Sequence, residues 1–118
     1  MMPAVPVPRG AGIRIPVELK LKSGFRYDTG RRAFLSDAGE RFDPSRDLPK
    51  GTRIVYKTPT LADADPRRLS EAERELRRHL QVILPEGAAA EDYVEKIRAW
   101  PSVEDAWVGP QVSLPARD

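Results

Sequence analysis

The stretch Leu80–Val108, LQVILPEGAAAEDYVEKIRAWPSVEDAWV, carries the pattern from which the fold is predicted. Residues 80–84 are apolar and rich in β-branched side chains, and the Pro-Glu-Gly sequence at 85–87 follows them, which predicts a strand closed by a turn. Residues 88–100 repeat apolar side chains at helical spacing, and a proline stops that helix. Residues 103–108 alternate between apolar and polar side chains. The stretch therefore predicts a strand, a helix and a second strand.

The residues before this stretch predict another strand and another helix. Residues 52–57 are rich in β-branched and aromatic side chains, as strands prefer. Ser70 and Glu73 have the spacing of a capping box, in which each side chain accepts a hydrogen bond from the other residue's amide. The helix that starts there is expected to end near His79, the single histidine, whose charge would suit a helix C-terminus. Its apolar face is expected to be buried and to consist of Leu69, Ala72, Leu76 and Leu80.

The N-terminal part predicts a β-hairpin. In residues 16–25, Val17, Leu19 and Leu21 alternate with charged residues, as in a strand with one buried face. The chain continues to a turn at 28–30 and returns over 31–36. The predicted class is α+β: an N-terminal β-hairpin and a β-α-β-α-β unit, with two helices packed on one face of a mainly antiparallel, ferredoxin-like sheet.

A chain of 118 residues is expected to form one domain. Residues 1–12 are proline, glycine and small side chains, which predicts a flexible arm. A single α+β domain is expected over 13–108, with the hairpin at 13–36 and the β-α-β-α-β unit at 52–108. Residues 109–118 contain prolines that favour an extended tail.

Composition argues against several kinds of chemistry. The chain has no cysteine and one histidine, so a disulfide framework, a zinc ribbon and a histidine-rich metal site are not expected. No serine lies in a Gly-x-Ser-x-Gly elbow, and the acidic residues follow predicted helix surfaces. We therefore expect a protein that is not an enzyme and needs no cofactor or metal. No apolar run could span a membrane. A cytoplasmic location is the default expectation, and secretion as part of a larger precursor stays open.

The charges are distributed unevenly. Residues 1–59 carry 12 basic and 6 acidic side chains, whereas residues 60–118 carry 8 and 12. This makes nucleic-acid binding by the basic hairpin a third hypothesis, although the basic residues are mixed with acids rather than concentrated with stacking aromatics. The candidate contacts are Lys20, Lys22, Arg26, Arg31 and Arg32.

Two motifs carry a resemblance to a known family. The segment 80–87, with its strand and Leu-Pro-Glu-Gly turn, and the segment 96–110, with a helix end and a Pro-Ser-Val-Glu connection into a last strand, resemble the second half of the propeptides of subtilisin-like serine proteases. The resemblance covers about residues 80–114. It implies a four-stranded antiparallel sheet with two helices on one face, which assists folding of the protease, docks through its sheet and inhibits by laying its C-terminal tail in the substrate cleft.

The resemblance places the partner-binding residues in the tail and makes a subtilisin-like serine protease the expected partner, in cis or in trans. Prolines in the tail restrict φ, so less conformational entropy is lost when the tail binds. The implied contacts are Gly109, Pro110, Gln111, Val112, Ser113 and Leu114. The alternative hypothesis is a protein-protein interaction or assembly subunit, including a homodimer, whose partner pairs with an exposed strand edge.

Overall fold

The computed structural model describes residues 15–109; the predicted arm 1–12 and the tail residues 110–118 lie outside the described residues. Seven strands and three α-helices occur in that range, so the predicted α+β class is confirmed. The helices are α1 (Pro59–Ala62), α2 (Glu71–Leu76) and α3 (Val94–Arg98). The strands are β1 (Val17–Leu21), β2 (Phe25–Asp28), β3 (Ala33–Ser36), β4 (Arg41–Phe42), β5 (Arg53–Tyr56), β6 (His79–Ile83) and β7 (Val103–Val108).

Four strands form a sheet in the order β5-β6-β1-β7, and every neighbouring pair is antiparallel. Because β6 and β7 both run antiparallel to β1, they are parallel to each other and are separated by β1, with α3 in the connection between them. In the same way, β1 and β5 flank β6. Split crossovers of this kind occur in ferredoxin-like sheets, and the antiparallel pairing agrees with the mainly antiparallel sheet that the sequence predicts.

A second sheet lies within the connection from β1 to β5. It is an antiparallel meander in the order β2-β3-β4, with Tyr27 opposite Phe34. The hydroxyl of Tyr56, on β5, accepts a hydrogen bond from the Tyr27 N–H at 2.8 Å and donates one to the Tyr27 carbonyl at 3.1 Å. The backbone groups of Tyr27 are thereby satisfied, and the hairpin is held against the four-stranded sheet. A hairpin was expected over residues 13–36, but only β2 and β3 form one. β1, predicted as part of its first strand, belongs to the four-stranded sheet, and β4 was not expected.

An aromatic cluster fills the space between the two sheets and α3. Phe34 is fully buried, and its ring lies 4.9 Å from that of Tyr27 and 5.7 Å from that of Trp100, between centroids. The Trp100 indole N–H donates to a carboxylate oxygen of Asp47 at 2.8 Å, so the polar tip of this buried ring is satisfied. The other core residues come mainly from β1, β6, α3 and β7: Val17, Leu19, Leu21, Leu80, Val82, Val94, Ile97, Val103 and Ala106.

Helix α2 differs from its predicted packing. Its capping box is present: the Ser70 hydroxyl accepts from the Glu73 N–H at 3.1 Å, and the Glu73 carboxylate accepts from the Ser70 N–H at 2.9 Å. The helix nevertheless buries none of its residues, and Leu76 is 51% exposed. The meander, rather than a second helix, supplies the aromatic side chains that pack beside α3. Of the two helices expected to cover the sheet, only α3 buries side chains in the core.

Candidate functional site

The four-stranded sheet has one face in the core and a second face that we call the open face. Successive side chains of a strand point to opposite faces, and Val17, Leu19 and Leu21 belong to the core, so their neighbours on β1 point the other way. No member of the open face belongs to the core cluster. By strand register, its side chains are Glu18, Lys20, Arg53, Val55, Lys57, His79, Gln81, Ile83, Asp105 and Trp107.

Glu18 is the central residue of the open face. It is only 4% exposed, although its face is not part of the core. One carboxylate oxygen accepts from the Lys57 ammonium at 2.9 Å, and the other accepts from the Gln81 amide at 3.3 Å. A buried carboxylate costs free energy unless it is paired and hydrogen-bonded. Gln81 lies on the neighbouring strand β6 and Lys57 directly follows β5, one strand further away, and together the two partners make the burial of Glu18 tolerable.

His79 lies beside this ion pair. The sequence predicts His79 near the end of a helix, but the structure places it elsewhere. It is the first residue of β6 rather than the end of a helix. Partial burial lowers the pKa of its imidazole, and the positive charges of Lys20 and Lys57 lower that pKa further. Its ring and that of Trp107 are in a T-shaped arrangement, 6.3 Å apart between centroids. A lowered pKa keeps His79 neutral at pH 7, so it adds no charge to the open face.

Gly109 connects β7 to the tail and belongs to the folded sheet. It is buried, and its N–H donates to the Pro16 carbonyl at 2.9 Å. A Cβ atom at this position would lie 2.6 Å from Cγ and 2.9 Å from Oε2 of Glu18, closer than atoms can approach. The predicted tail therefore begins after Gly109 instead of at it. The other candidate contacts, residues 110–114, lie outside the described residues.

We expect Gly109→Ala to lower the free energy of unfolding by about 1–3 kcal/mol, because the added methyl group overpacks against Glu18. Urea unfolding of the single variants and of the Gly109→Ala/Glu18→Ala pair measures this. In the Glu18→Ala background the cost of Gly109→Ala should nearly vanish, since the clashing carboxylate is gone. An equal cost in both backgrounds would show that contact with Glu18 is not the cause.

We expect Lys57→Met to lower the free energy of unfolding by about 1–2 kcal/mol, since it leaves the buried Glu18 carboxylate with one hydrogen-bond partner and no counter-charge. Met keeps much of the apolar stem of the lysine. The matched control is Arg67→Met, which removes an ion pair to Asp65 whose arginine side chain is 89% exposed. Surface pairs contribute little, so the control should leave unfolding unchanged within error. Comparable losses in both variants would contradict the assignment.

The free edge of β7 is capped where Ala106 lies. The Arg98 guanidinium donates to the Ala106 carbonyl from two nitrogens, at 3.1 and 2.6 Å, and the Ala106 N–H donates to the Asp105 carboxylate at 2.8 Å. A strand edge whose backbone groups are already satisfied does not accept another strand. At this position, pairing with a second chain is therefore blocked.

The five basic residues proposed as nucleic-acid contacts do not share one surface. Lys20 is on the open face and pairs with Glu75 and Glu104; hydrogen bonding to Glu75 is the main cause of its raised pKa. Arg31 and Arg32 lie in the turn between β2 and β3. Lys22 and Arg26 instead line one cleft.

That cleft is also lined by basic residues outside the predicted hairpin. Arg74, Arg77 and Arg78 line it together with Lys22 and Arg26. The three arginines at helical spacing in residues 74–78 were the available signal, but such a run is also typical of a solvent-exposed helix face. Their approach to the β1–β2 turn depends on the tertiary structure.

Comparisons with protein-family models, with curated proteins and with solved structures found no match for this chain. Within residues 15–109, no group of three or more histidine, cysteine or acidic side chains is arranged to hold a metal ion. None of the helices in this part of the chain has the length and apolar character needed to cross a bilayer.

Proposed function

We propose that this chain is a binding module that resembles a subtilisin propeptide: it docks on a subtilisin-like serine protease, inhibits it or assists its folding, and lays residues 110–114 in the active-site cleft. The observation that carries the proposal is the placement of the β6-α3-β7 unit. It lies in a four-stranded antiparallel sheet with one open face, and its last strand leads directly into the tail.

The open face supports docking through the sheet. Val55, Ile83 and Trp107 are partly exposed there, around the Glu18–Lys57 ion pair, and His79 is neutral at pH 7. Interfaces between proteins that also exist separately typically combine apolar contacts with satisfied polar groups. The open face has this composition. In the resembled family two helices cover the other face, whereas in this chain α3 and the meander do so.

The exit of β7 supports a role for the tail. The hydrogen bond from Gly109 to Pro16, and the close packing of Gly109 on Glu18, fix the point at which the chain leaves the sheet. Pro110 follows immediately and restricts φ, which reduces the entropy lost when an extended segment binds. An extended segment can pair with a strand edge in a cleft and offer alternate side chains to its pockets. The cap at Ala106 favours the tail over β7 itself as the segment that pairs.

The test is an inhibition assay with purified protein. We expect the chain to slow a subtilisin-type protease acting on a chromogenic peptide, saturably and at one chain per protease. A trypsin-type protease is the control and should be unaffected. A second measurement follows recovery of activity by the unfolded subtilisin-type protease, with and without the chain. If the chain neither inhibits that protease nor raises its recovery, the proposal is wrong.

Light scattering in the same preparation addresses the alternative of an assembly subunit. We expect a monomer in the absence of the protease, because Arg98 and Asp105 occupy the backbone groups of Ala106 on one of the two outer strands of the sheet. A stable dimer combined with no inhibition would favour the assembly hypothesis instead.

A further inference from the structure

A cleft of about 310 Å³ lies between the β1–β2 turn and the C-terminal end of α2. We call it the arginine cleft. Its two walls are joined by a pair of hydrogen bonds: the Leu21 N–H donates to the Arg78 carbonyl at 2.8 Å, and the Arg78 guanidinium donates to the Leu21 carbonyl at 2.9 Å. The walls are therefore held at a fixed separation. Its charged lining residues are Lys22, Arg26, Asp37, Arg74, Arg77 and Arg78.

The positive charge of the arginine cleft is only partly neutralised. Arg78 pairs with Glu75 and Glu104. Within residues 15–109, Lys22, Arg26, Arg74 and Arg77 have no carboxylate oxygen within 4.0 Å, and Asp37 is the one acidic residue in the lining. Asp28 and Asp63 line a neighbouring cleft that shares Arg26 and Arg77. Four cations thus face a small space that has one lining carboxylate.

Two of these arginines are oriented by neutral groups. Arg74 donates from Nη1 to the Leu69 carbonyl at 2.7 Å, and Arg77 donates from Nη2 to the Ala62 carbonyl at 3.4 Å. Backbone carbonyls position a guanidinium without cancelling its net charge. The remaining nitrogens of both side chains make no hydrogen bond within the described part of the chain. A guanidinium presents its donors in a planar fork that matches phosphate oxygens.

We propose that the arginine cleft binds a small phosphate-bearing anion, of the size of pyrophosphate or a nucleoside diphosphate. Its volume is at the lower end of the range of about 300–1,000 Å³ found for small-molecule sites. A multiply charged anion would relieve the mutual repulsion of the four cations, and Phe25 and Tyr56 in the lining provide an apolar border. The lining of this cleft shares no residue with the open face, so the proposal stands independently of protease binding.

The test is isothermal titration calorimetry of the full chain with pyrophosphate at low ionic strength. We expect saturable binding at one site. Arg74→Gln/Arg77→Gln should weaken it at least tenfold. The matched control, Arg67→Gln/Arg68→Gln, removes the same charge from exposed residues outside the cleft lining and should change the affinity less than twofold. Absence of saturable binding, or equal weakening in both double variants, would overturn the proposal.

A second variant separates loss of the site from loss of folding. Lys22→Gln/Arg26→Gln removes charge from the other wall at exposed side chains, and should also weaken pyrophosphate binding about tenfold with an unchanged unfolding curve. Titration with ADP separates the two sources of the anion: tighter binding than pyrophosphate indicates a nucleotide, and equal binding indicates the phosphate groups alone. A further outcome would also overturn the proposal: the chain binds an oligonucleotide but not pyrophosphate, and the cleft and control variants bind the oligonucleotide equally. Such binding would come from a nonspecific polyanion-binding surface instead of the arginine cleft.

Discussion

Removal of residues 110–118 is expected to abolish inhibition of a subtilisin-type protease. The free energy of unfolding should change by less than about 0.5 kcal/mol, as for surface changes in general. The physical reason is that the described fold ends at Gly109, whereas the proposed inhibitory segment begins after it. Every strand pair that the structure describes in this sheet, together with the hydrogen bond from Gly109 to Pro16, lies before the cut, whereas the proposed contacts with the protease lie after it. Inhibition constants and urea unfolding curves of the full and shortened chains measure the two effects.

The position of the cut matters, and a second truncation shows why. Removing residues 109–118 instead also deletes the Gly109 hydrogen bond and uncovers the Glu18 carboxylate. This longer truncation should lower stability in addition to inhibition. If the chain ending at Gly109 retains full inhibition, the tail is not the inhibitory segment. Replacing Val112 and Leu114 with aspartate in the full chain provides a control of unchanged length, and it should reduce inhibition without altering unfolding.

Phe34→Ala is expected to lower the free energy of unfolding by about 3–5 kcal/mol, the cost found when a large buried aromatic side chain is removed. Phe34 is fully buried in β3, and its ring contacts Tyr27, Phe42 and Trp100. The resulting cavity would lie where the meander meets α3. No other aromatic ring in the described part of the chain contacts Tyr27, Phe42 and Trp100 together. Urea unfolding monitored by tryptophan fluorescence measures the loss.

The neighbouring residue Leu35 provides the matched control for Phe34. It lies on the opposite face of β3 and is only partly buried, so Leu35→Ala should cost less than half as much. Because small domains have total stabilities of about 5–15 kcal/mol, Phe34→Ala could fail to fold. Phe34→Leu retains most of the volume and should cost about 1–1.5 kcal/mol. A loss after Phe34→Ala no greater than that after Leu35→Ala, or no measurable loss after Phe34→Leu, would contradict the central role of this ring.

The local sequence pattern was sufficient to predict those elements whose formation depends on residues a few positions apart. The bounds of β7, the capping box of α2 and the alternation of β1 were predicted from residues a few positions apart. Within the predicted helix 88–100, Ala90, Val94, Ile97 and Trp100 are buried as helical spacing suggests, although the α-helix itself spans only Val94–Arg98. Such features are determined by bonds and steric preferences between near neighbours, which the sequence displays directly.

The same kind of pattern was misleading for α2. Leu76 has the spacing of a core residue but is half exposed, because the meander supplies the aromatic packing beside α3. The candidate sites were also only partly predictable. The tail was selected from a resemblance and its prolines, whereas the open face, the burial of Glu18 and the capped edge at Ala106 were not anticipated. Each requires contacts between residues that are distant in the chain.

The sequence by itself determined an α+β chain with a basic N-terminal half, no cysteine, and a strand-helix-strand unit at residues 80–108 that leads into a proline-containing tail. The tertiary structure decided that Glu18 pairs with Lys57 and packs closely against Gly109. It also decided that Lys22 and Arg26 line one cleft together with the arginines of residues 74–78. The physical reason is the separation along the chain over which each kind of interaction acts. Periodicity and capping act over a few residues, whereas burial and charge depend on which distant strands pair, and no local pattern encodes that pairing.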